Sequence, residues 1–223
     1  MILCRKEVDD VNFAKVTFQT SVLEEMISFY QNVLNMPLRE RTHHSFTVAV
    51  GRTLLTFEHS SEKPFYHFAL GIAESVFDEY AGMIKERATI LPSKDGEEIM
   101  HSVTWKGKQL YFEDPDQNIL EILAFPTHPA ATWLCVQEVG MPVQEVAAFA
   151  ECLSMLENEF SPESASFHFY GDQEGVLVLV KEQRPWYPTD RGASLHSIDV
   201  ELVSATGRVI DFVKEQLPYR IVF

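Results

Sequence analysis

Tyr111-Phe-Glu-Asp-Pro-Asp-Gln-Asn-Ile-Leu-Glu-Ile-Leu123 is the stretch that decides how this chain is read. Asp114-Pro115-Asp116 reads as a turn, with the proline presetting φ at its second position. A strand follows in which Ile119, Glu121 and Leu123 share one face and Leu120 and Ile122 the other. A carboxylate inside an apolar run needs a reason. Desolvating it without a partner costs several kcal/mol, so a cation, a metal or a hydrogen-bond donor is expected beside it. The competing reading is an edge-strand glutamate turned to water, the usual place for that residue type.

Upstream, His67-Phe-Ala-Leu-Gly-Ile72 sharpens the choice. Phe68, Leu70 and Ile72 form a bulky face suited to packing on a helix, whereas His67, Ala69 and Gly71 face the other way. Two small side chains beside an imidazole leave room for a ligand. A hydrogen-bonded core histidine is the commoner fate of a lone His.

Both stretches belong to a repeating pattern of strand, helix and further strands. Phe13 to Thr20 reads as a strand, and Ser21-Val-Leu-Glu24 as a capping box opening a helix with Leu23, Met26, Ile27, Tyr30 and Leu34 on one face. The His67 to Ile72 strand is followed by Ser75-Val-Phe-Asp78, which reads the same way. A third strand is expected over Leu134 to Val143, with a helix over Val143 to Leu156. A fourth, Ser197 to Leu202, is followed by an expected helix over Ala205 to Leu217. Hairpins are expected at Phe46 to Phe57 around Gly51-Arg52, and at Val103 to Phe112 around Lys106-Gly107-Lys108. The spacing of roughly 54 to 67 residues indicates duplicated modules, with Pro126 to Ala131 as the linker between halves. After the fourth helix only Tyr219 to Phe223 remains, so the last module is expected to be truncated and to leave a sheet edge. That edge calls for a second copy of the chain or for burial by the first domain.

The 223 residues carry a formal net charge of −15, which argues against a nucleic-acid partner. The three cysteines, Cys4, Cys135 and Cys152, are far apart and form no CxxC pair, so neither a disulfide framework nor a thiolate zinc site is expected. MILCRKEVDD lacks the apolar core of a secretion signal, and no run approaches the ~18 apolar residues of a membrane span. The expected location is cytoplasmic, with no membrane partner. There is no GxGxxG, P-loop, GxSxG or HExxH.

KVTFQTSVLEEMISFYQNVLNMPL, HFALGI and YFEDPDQNILEIL together span residues 15–123 and resemble the vicinal-oxygen-chelate superfamily of glyoxalases, bleomycin- and fosfomycin-resistance proteins and extradiol dioxygenases. Residues 133–223 match more weakly, through WLCVQEVGMPV and the Ser197 to Leu202 strand. The resemblance implies an α+β fold of tandem βαβββ modules: a complete glyoxalase-like domain over residues 1–126 and an incomplete one over 130–223. It also implies a cleft that often holds a divalent metal such as iron, manganese, nickel or zinc. His67 and Glu121 fall on two ligand positions, and imidazole plus carboxylate is a sensible donor set. A third equivalent position falls near Thr56, with Glu58 two residues on along the same face. The first ligand position of the family is taken by Lys15, which cannot ligate a metal while protonated. In the second half Glu138 takes the Lys15 position and Ser197 the His67 position, with Asp199 and Glu201 following on the cleft face. A metal there is not expected, and His196 reads as a loop residue.

Two functions follow from the resemblance. One is a metal-free or metal-degraded member that binds a small molecule through Lys15, Thr17, Gln19, Thr56 and Phe112 and needs no cofactor. In that version the Lys15 ammonium stands in for the metal and pairs with Glu121. The other is a metal-dependent lyase or dioxygenase acting on a small oxygenated substrate through His67, Glu121 and Glu58. A small-molecule ligand and a homodimer are expected in both. The His43-His44 pair reads as a loop feature, because no carboxylate follows at ligand spacing. Arg184-Pro-Trp-Tyr-Pro-Thr189 reads as a stiff connector covering an apolar edge.

Overall fold

The computed structural model describes residues 9–126, 132–204 and 206–223. The expected linker lies almost wholly outside them, as does Cys4. The fold is α+β and built of tandem modules. The first module holds β1 (Phe13–Thr20), α1 (Leu23–Asn32), β2 (Leu38–Arg41), β3 (Ser45–Val50) and β4 (Thr53–His59). The second holds β5 (His67–Ala73), α2 (Glu74–Arg87), β6 (Ile99–His101), β7 (Lys108–Glu113) and β8 (Ile119–Phe125). The third is shorter, with β9 (Trp133–Val143), α3 (Val146–Cys152), β10 (Phe167–Gly171) and β11 (Val176–Lys181). The fourth holds β12 (Ile198–Leu202), β13 (Val209–Asp211), a 3-10 turn (Val213–Glu215) and β14 (Tyr219–Val222).

The helix expected over Ala205 to Leu217 is replaced by β13 and the 3-10 turn. Gly207 takes a left-handed φ of 64°, and the β-branched Val209 and Ile210 then pair with Val222 and Ile221. The Tyr219 to Phe223 edge is therefore covered by β13 of its own chain. Neither expected capping box forms. α2 starts two residues early, at Glu74 with Ala73 as its N-cap, which puts Ser75 inside the helix. At α1 the turn before the helix is held from afar. Asp116, buried in the DPD turn, accepts hydrogen bonds from the Thr20 hydroxyl (2.8 Å), the Ser21 amide (3.0 Å) and the Ser21 hydroxyl (2.9 Å). These bonds hold the turn just ahead of the helix and tie the second module to the first.

The strands form two seven-stranded sheets, ordered β13-β14-β12-β1-β4-β3-β2 and β10-β11-β9-β5-β8-β7-β6. The first joins modules one and four, and the second joins modules two and three. Strand pairing thus runs across the 126/130 boundary, and the first two modules share no sheet. Phe18 of the first sheet lies 4.8 Å from Phe68 of the second, ring centroid to ring centroid, in the main core between the sheets and helices. A second apolar cluster, with Ile119, Leu123, Val178 and Val180, lies on the other face of the second sheet. The matching face of the first sheet carries half-exposed Lys15, Thr17, Gln19, Asp199 and Glu201 instead. Only one of the two outer faces is therefore dry.

Candidate metal centre

β5 lies between β8 and β9, and its register brings three polar side chains together. Ala69 stands opposite Glu121 of β8, in a parallel pair, and opposite Glu138 of β9, in an antiparallel pair. Directly opposed residues share a face, so the methyl group of Ala69 leaves open the space between two carboxylates. His67, two residues earlier on β5, shares that face. One ligand atom from each of His67, Glu121 and Glu138 lies within 4.8 Å of the others. All three are buried, at 6 %, 3 % and 3 % exposure.

The surroundings set each side chain's chemistry. The His67 Nδ1 atom is 3.1 Å from the Ile119 carbonyl oxygen, which can only accept, so Nδ1–H donates and Nε2 is the nitrogen left with a lone pair. Burial lowers the His67 pKa to about 4, so the ring is neutral at neutral pH. Burial also raises Glu121, with the neighbouring Glu138 charge adding to the rise and a hydrogen bond from Tyr111 opposing it. Glu138 is pushed up to about 7 by burial, against a short hydrogen bond donated by the Trp105 indole. Among the described residues no lysine or arginine pairs with either carboxylate. Two adjoining buried carboxylates without a counter-cation are costly unless a proton or a cation is shared between them.

The three open onto a chamber of about 130 Å³, whose walls include Trp105, Tyr111 and Trp186. Trp186 comes from the connector over residues 183–193. That segment folds back on itself through hydrogen bonds from Trp186 N to Arg191 O (2.9 Å) and from Ala193 N to Arg184 O (2.9 Å). Arg191 anchors it, donating to Gln117 O at 2.7 Å and pairing with Glu113 at 2.9 Å. The Trp186 ring lies 4.7 Å from the His67 ring, centroid to centroid. The connector therefore roofs the chamber instead of merely covering an edge. Gly140 on β9 makes the close approach possible, because a Cβ there would lie 2.8 Å from the Trp186 ring.

His67 and Glu121 are thus brought together, while the other expected site residues are placed elsewhere. Glu58 is exposed on β4 in the first sheet, opposite Gln19. Lys15, Thr17, Gln19 and Thr56 lie on that same sheet, and Thr56 hydrogen-bonds Thr47 at 2.8 Å. Lys15 pairs not with Glu121 but with Glu201, at 3.6 Å and with side chains 34 % and 45 % exposed. Phe112 is buried in the main core, and the residue opposite Glu121 on β7 is Tyr111. His43 and His44 are exposed, and His196 is held by Ser194 at 2.9 Å away from the cluster. The third acid of the cluster is Glu138, contributed by the neighbouring module. Its signal in the sequence is a carboxylate between Val136 and Met141 with a glycine two residues on, the same anomaly that marks Glu121.

The registers also define a matching position in the first sheet. Thr17 of β1 stands opposite Thr56 of β4 and Asp199 of β12, as Ala69 does opposite Glu121 and Glu138. Lys15, Thr56 and Asp199 therefore occupy the places of His67, Glu121 and Glu138. Of the three, only Asp199 is a metal-ligand type.

Residues 12–122 match the model of the Glyoxalase/Bleomycin resistance protein/Dioxygenase superfamily. The chain belongs to that superfamily. The metallothiol transferase FosB of Shouchella clausii (strain KSM-K16) is 29 % identical over 116 residues, 48 % of this chain and 75 % of that protein. Among solved structures, a Bacillus subtilis subsp. subtilis str. 168 protein provisionally described as a dioxygenase superposes with a TM-score of 0.67 at 12 % identity, covering 96 % of this chain and 86 % of its own. A glyoxalase I variant from Zea mays superposes at 0.53 and 14 % identity, covering 85 % and 75 %. At these identities the two likenesses show the fold alone, and they extend it across both halves of the chain.

Proposed function

We propose that this glyoxalase-superfamily chain binds a divalent metal through His67, Glu121 and Glu138 and presents it to a small oxygenated molecule in the chamber. The observation that carries the reading is the meeting of one neutral imidazole and two buried carboxylates with no protein cation between them. Those donors suit iron, manganese, nickel or zinc, and a metal there would act as a Lewis acid on bound oxygens. The chain's own residues have defined tasks. The Ile119 carbonyl holds His67 so that Nε2 faces inward, the Trp105 N–H and the Tyr111 hydroxyl steady the two carboxylates, and Trp186 excludes water. Lys15 is no substitute for the metal, because it stands in the other sheet.

The test is calorimetric titration of zinc and manganese into chelator-treated protein. One site per chain is expected, lost in His67→Ala and Glu121→Gln and retained in Glu58→Gln. A wild-type protein that takes up neither metal would leave the carboxylates sharing a proton in a metal-free ligand pocket. The free thiols of Cys135 and Cys152 are consistent with a cytoplasmic location, and among the described residues no helix is long and apolar enough to cross a membrane. Exposed Val203, Val209 and Val213 give the last module an apolar surface that supports a homodimer, testable by light scattering.

A further inference from the structure

The inner chamber does not end at its mouth. A wider outer chamber of about 480 Å³ adjoins it, and the two share Ser102, Gln109, Tyr111, Phe169 and Tyr187 in their walls. On the proposed metal reading the inner space would take a small oxygenated head, so the outer one is where the remainder of a ligand would lie. Its chemistry is lopsided. Tyr111, Tyr187 and Phe169 supply aromatic surface, and Tyr111 and Tyr187 meet edge to face at 5.5 Å. Asp95 and Glu97 are the carboxylates of the outer wall and His101 its one imidazole, and among the described residues no lysine or arginine lines either chamber. Arg184, beside the inner chamber, is stacked on Phe167 with its guanidinium 4.5 Å from the ring centroid. After burial, the carboxylates of Asp95, Glu97 and Glu121 are what raise the Tyr187 pKa, so their fields converge where the two chambers meet. Ser102 stands at the same junction and is 7 % exposed. Its Oγ accepts the Trp105 amide at 3.1 Å, and among the described residues its own hydroxyl proton has no protein acceptor. It is a free donor facing the passage.

We infer that the outer chamber is a tail subsite that takes an aromatic, neutral or cationic extension of the ligand and rejects an anionic one. The inference rests on the metal reading above and adds what that reading leaves open, the part of the ligand that never touches the metal. Aromatic faces attract cations and pack on flat rings, whereas an anion brought between Asp95 and Glu97 meets like charge, and the His101 imidazole is the one basic side chain among the described lining residues of that chamber.

Hydroxamates test this, because their two adjacent oxygens chelate a metal whatever tail they carry. Zinc-loaded protein is titrated calorimetrically with acetohydroxamate, benzohydroxamate, 4-carboxybenzohydroxamate and 4-(aminomethyl)benzohydroxamate. Benzohydroxamate should bind about 10-fold more tightly than acetohydroxamate, and the aminomethyl compound at least as tightly as benzohydroxamate. The carboxylate should be weakened about 10-fold relative to benzohydroxamate, and Asp95→Asn with Glu97→Gln should shrink that gap to under about 3-fold. Both substitutions alter exposed side chains and leave in place the backbone hydrogen bonds of Asp95 and Glu97 to Ser93. Equal affinity for carboxylate and parent, equal affinity for acetohydroxamate and benzohydroxamate, or a gap untouched by the double substitution would overturn the inference. Zinc binding with tail-indifferent hydroxamates sinks the subsite alone, and absence of zinc binding sinks the metal reading and the subsite with it.

Discussion

Gly140→Ala is a single added methyl group whose consequences follow from distances already given. An ideal Cβ at that position would lie 2.7 Å from the His67 carbonyl oxygen and 2.8 and 3.0 Å from two carbons of the Trp186 ring. The carbonyl belongs to β5, pinned between β8 and β9, so it cannot move away. Trp186 sits on the connector and is the group that must yield. Overpacking of this kind costs about 1–3 kcal/mol, and the lower chain entropy of alanine in the unfolded state returns about 0.4–1. The net loss is then about 1–2 kcal/mol, or roughly 2–8 °C in melting temperature for a chain of this size. Because the displaced ring covers His67, the loss should come with red-shifted, more quenchable tryptophan emission and weaker zinc binding. Differential scanning calorimetry and acrylamide quenching read the two effects. A variant that melts at or above the wild-type temperature with unchanged emission would show that the roof does not rest on β9 as described.

Asp116→Ala removes the acceptor for three hydrogen bonds just ahead of α1 and leaves the proton of the buried Thr20 hydroxyl without an acceptor, so a loss of about 2–4 kcal/mol by urea unfolding is expected. Lys15→Ala should cost at most about 1 kcal/mol, because its partner Glu201 is half-exposed; a loss near the ~3–5 kcal/mol of a broken buried pair would contradict the placement. His67 governs an acid-side loss in chelator-treated protein. Its folded pKa of about 4 lies below the ordinary 6.5, so between those values the unfolded chain binds more protons and stability falls as pH falls. The wild type should lose up to about 3 kcal/mol relative to His67→Gln between pH 7 and pH 4, and parallel pH profiles for the two would show that the ring is not buried neutral.

The module repeat and its residue alternation were legible because period-two patterning is local: Phe68, Leu70 and Ile72 face the core, and His67 and Ala69 face away. What the chain does not write locally is which module lies beside which. Lys15 looked like the neighbour of Glu121 only on the assumption that consecutive modules share a sheet. β5 instead takes β9 on its free edge, so Glu138, already placed at the Lys15-equivalent position, meets His67 and Glu121. Which of Phe112 and Tyr111 faces the cleft depends on register: with Glu113 set against Ile119, parity gives that face to Tyr111. Trp105 and Trp186 sit on a turn and a connector, where no periodicity points. The helix that the module repeat predicts over Ala205 to Leu217 gives way to the β13–β14 pairing, a contact that no local pattern encodes.

The two sheets differ in how much of the chain must exist before each can close. The second is drawn from one continuous stretch, His67 to Lys181, whereas the first joins Phe13–His59 to Ile198–Val222. On the ribosome, the sheet bearing the candidate metal centre has all its strands while the C-terminal portion is still being made. β1, among the first strands to emerge, meanwhile keeps one edge bare until β12 arrives. An unpaired edge in a nascent chain is a template for the wrong partner. A chain halted before Ile198 should therefore carry a finished His67–Glu121–Glu138 cluster and yet be the species that chaperones hold and that aggregates when they do not.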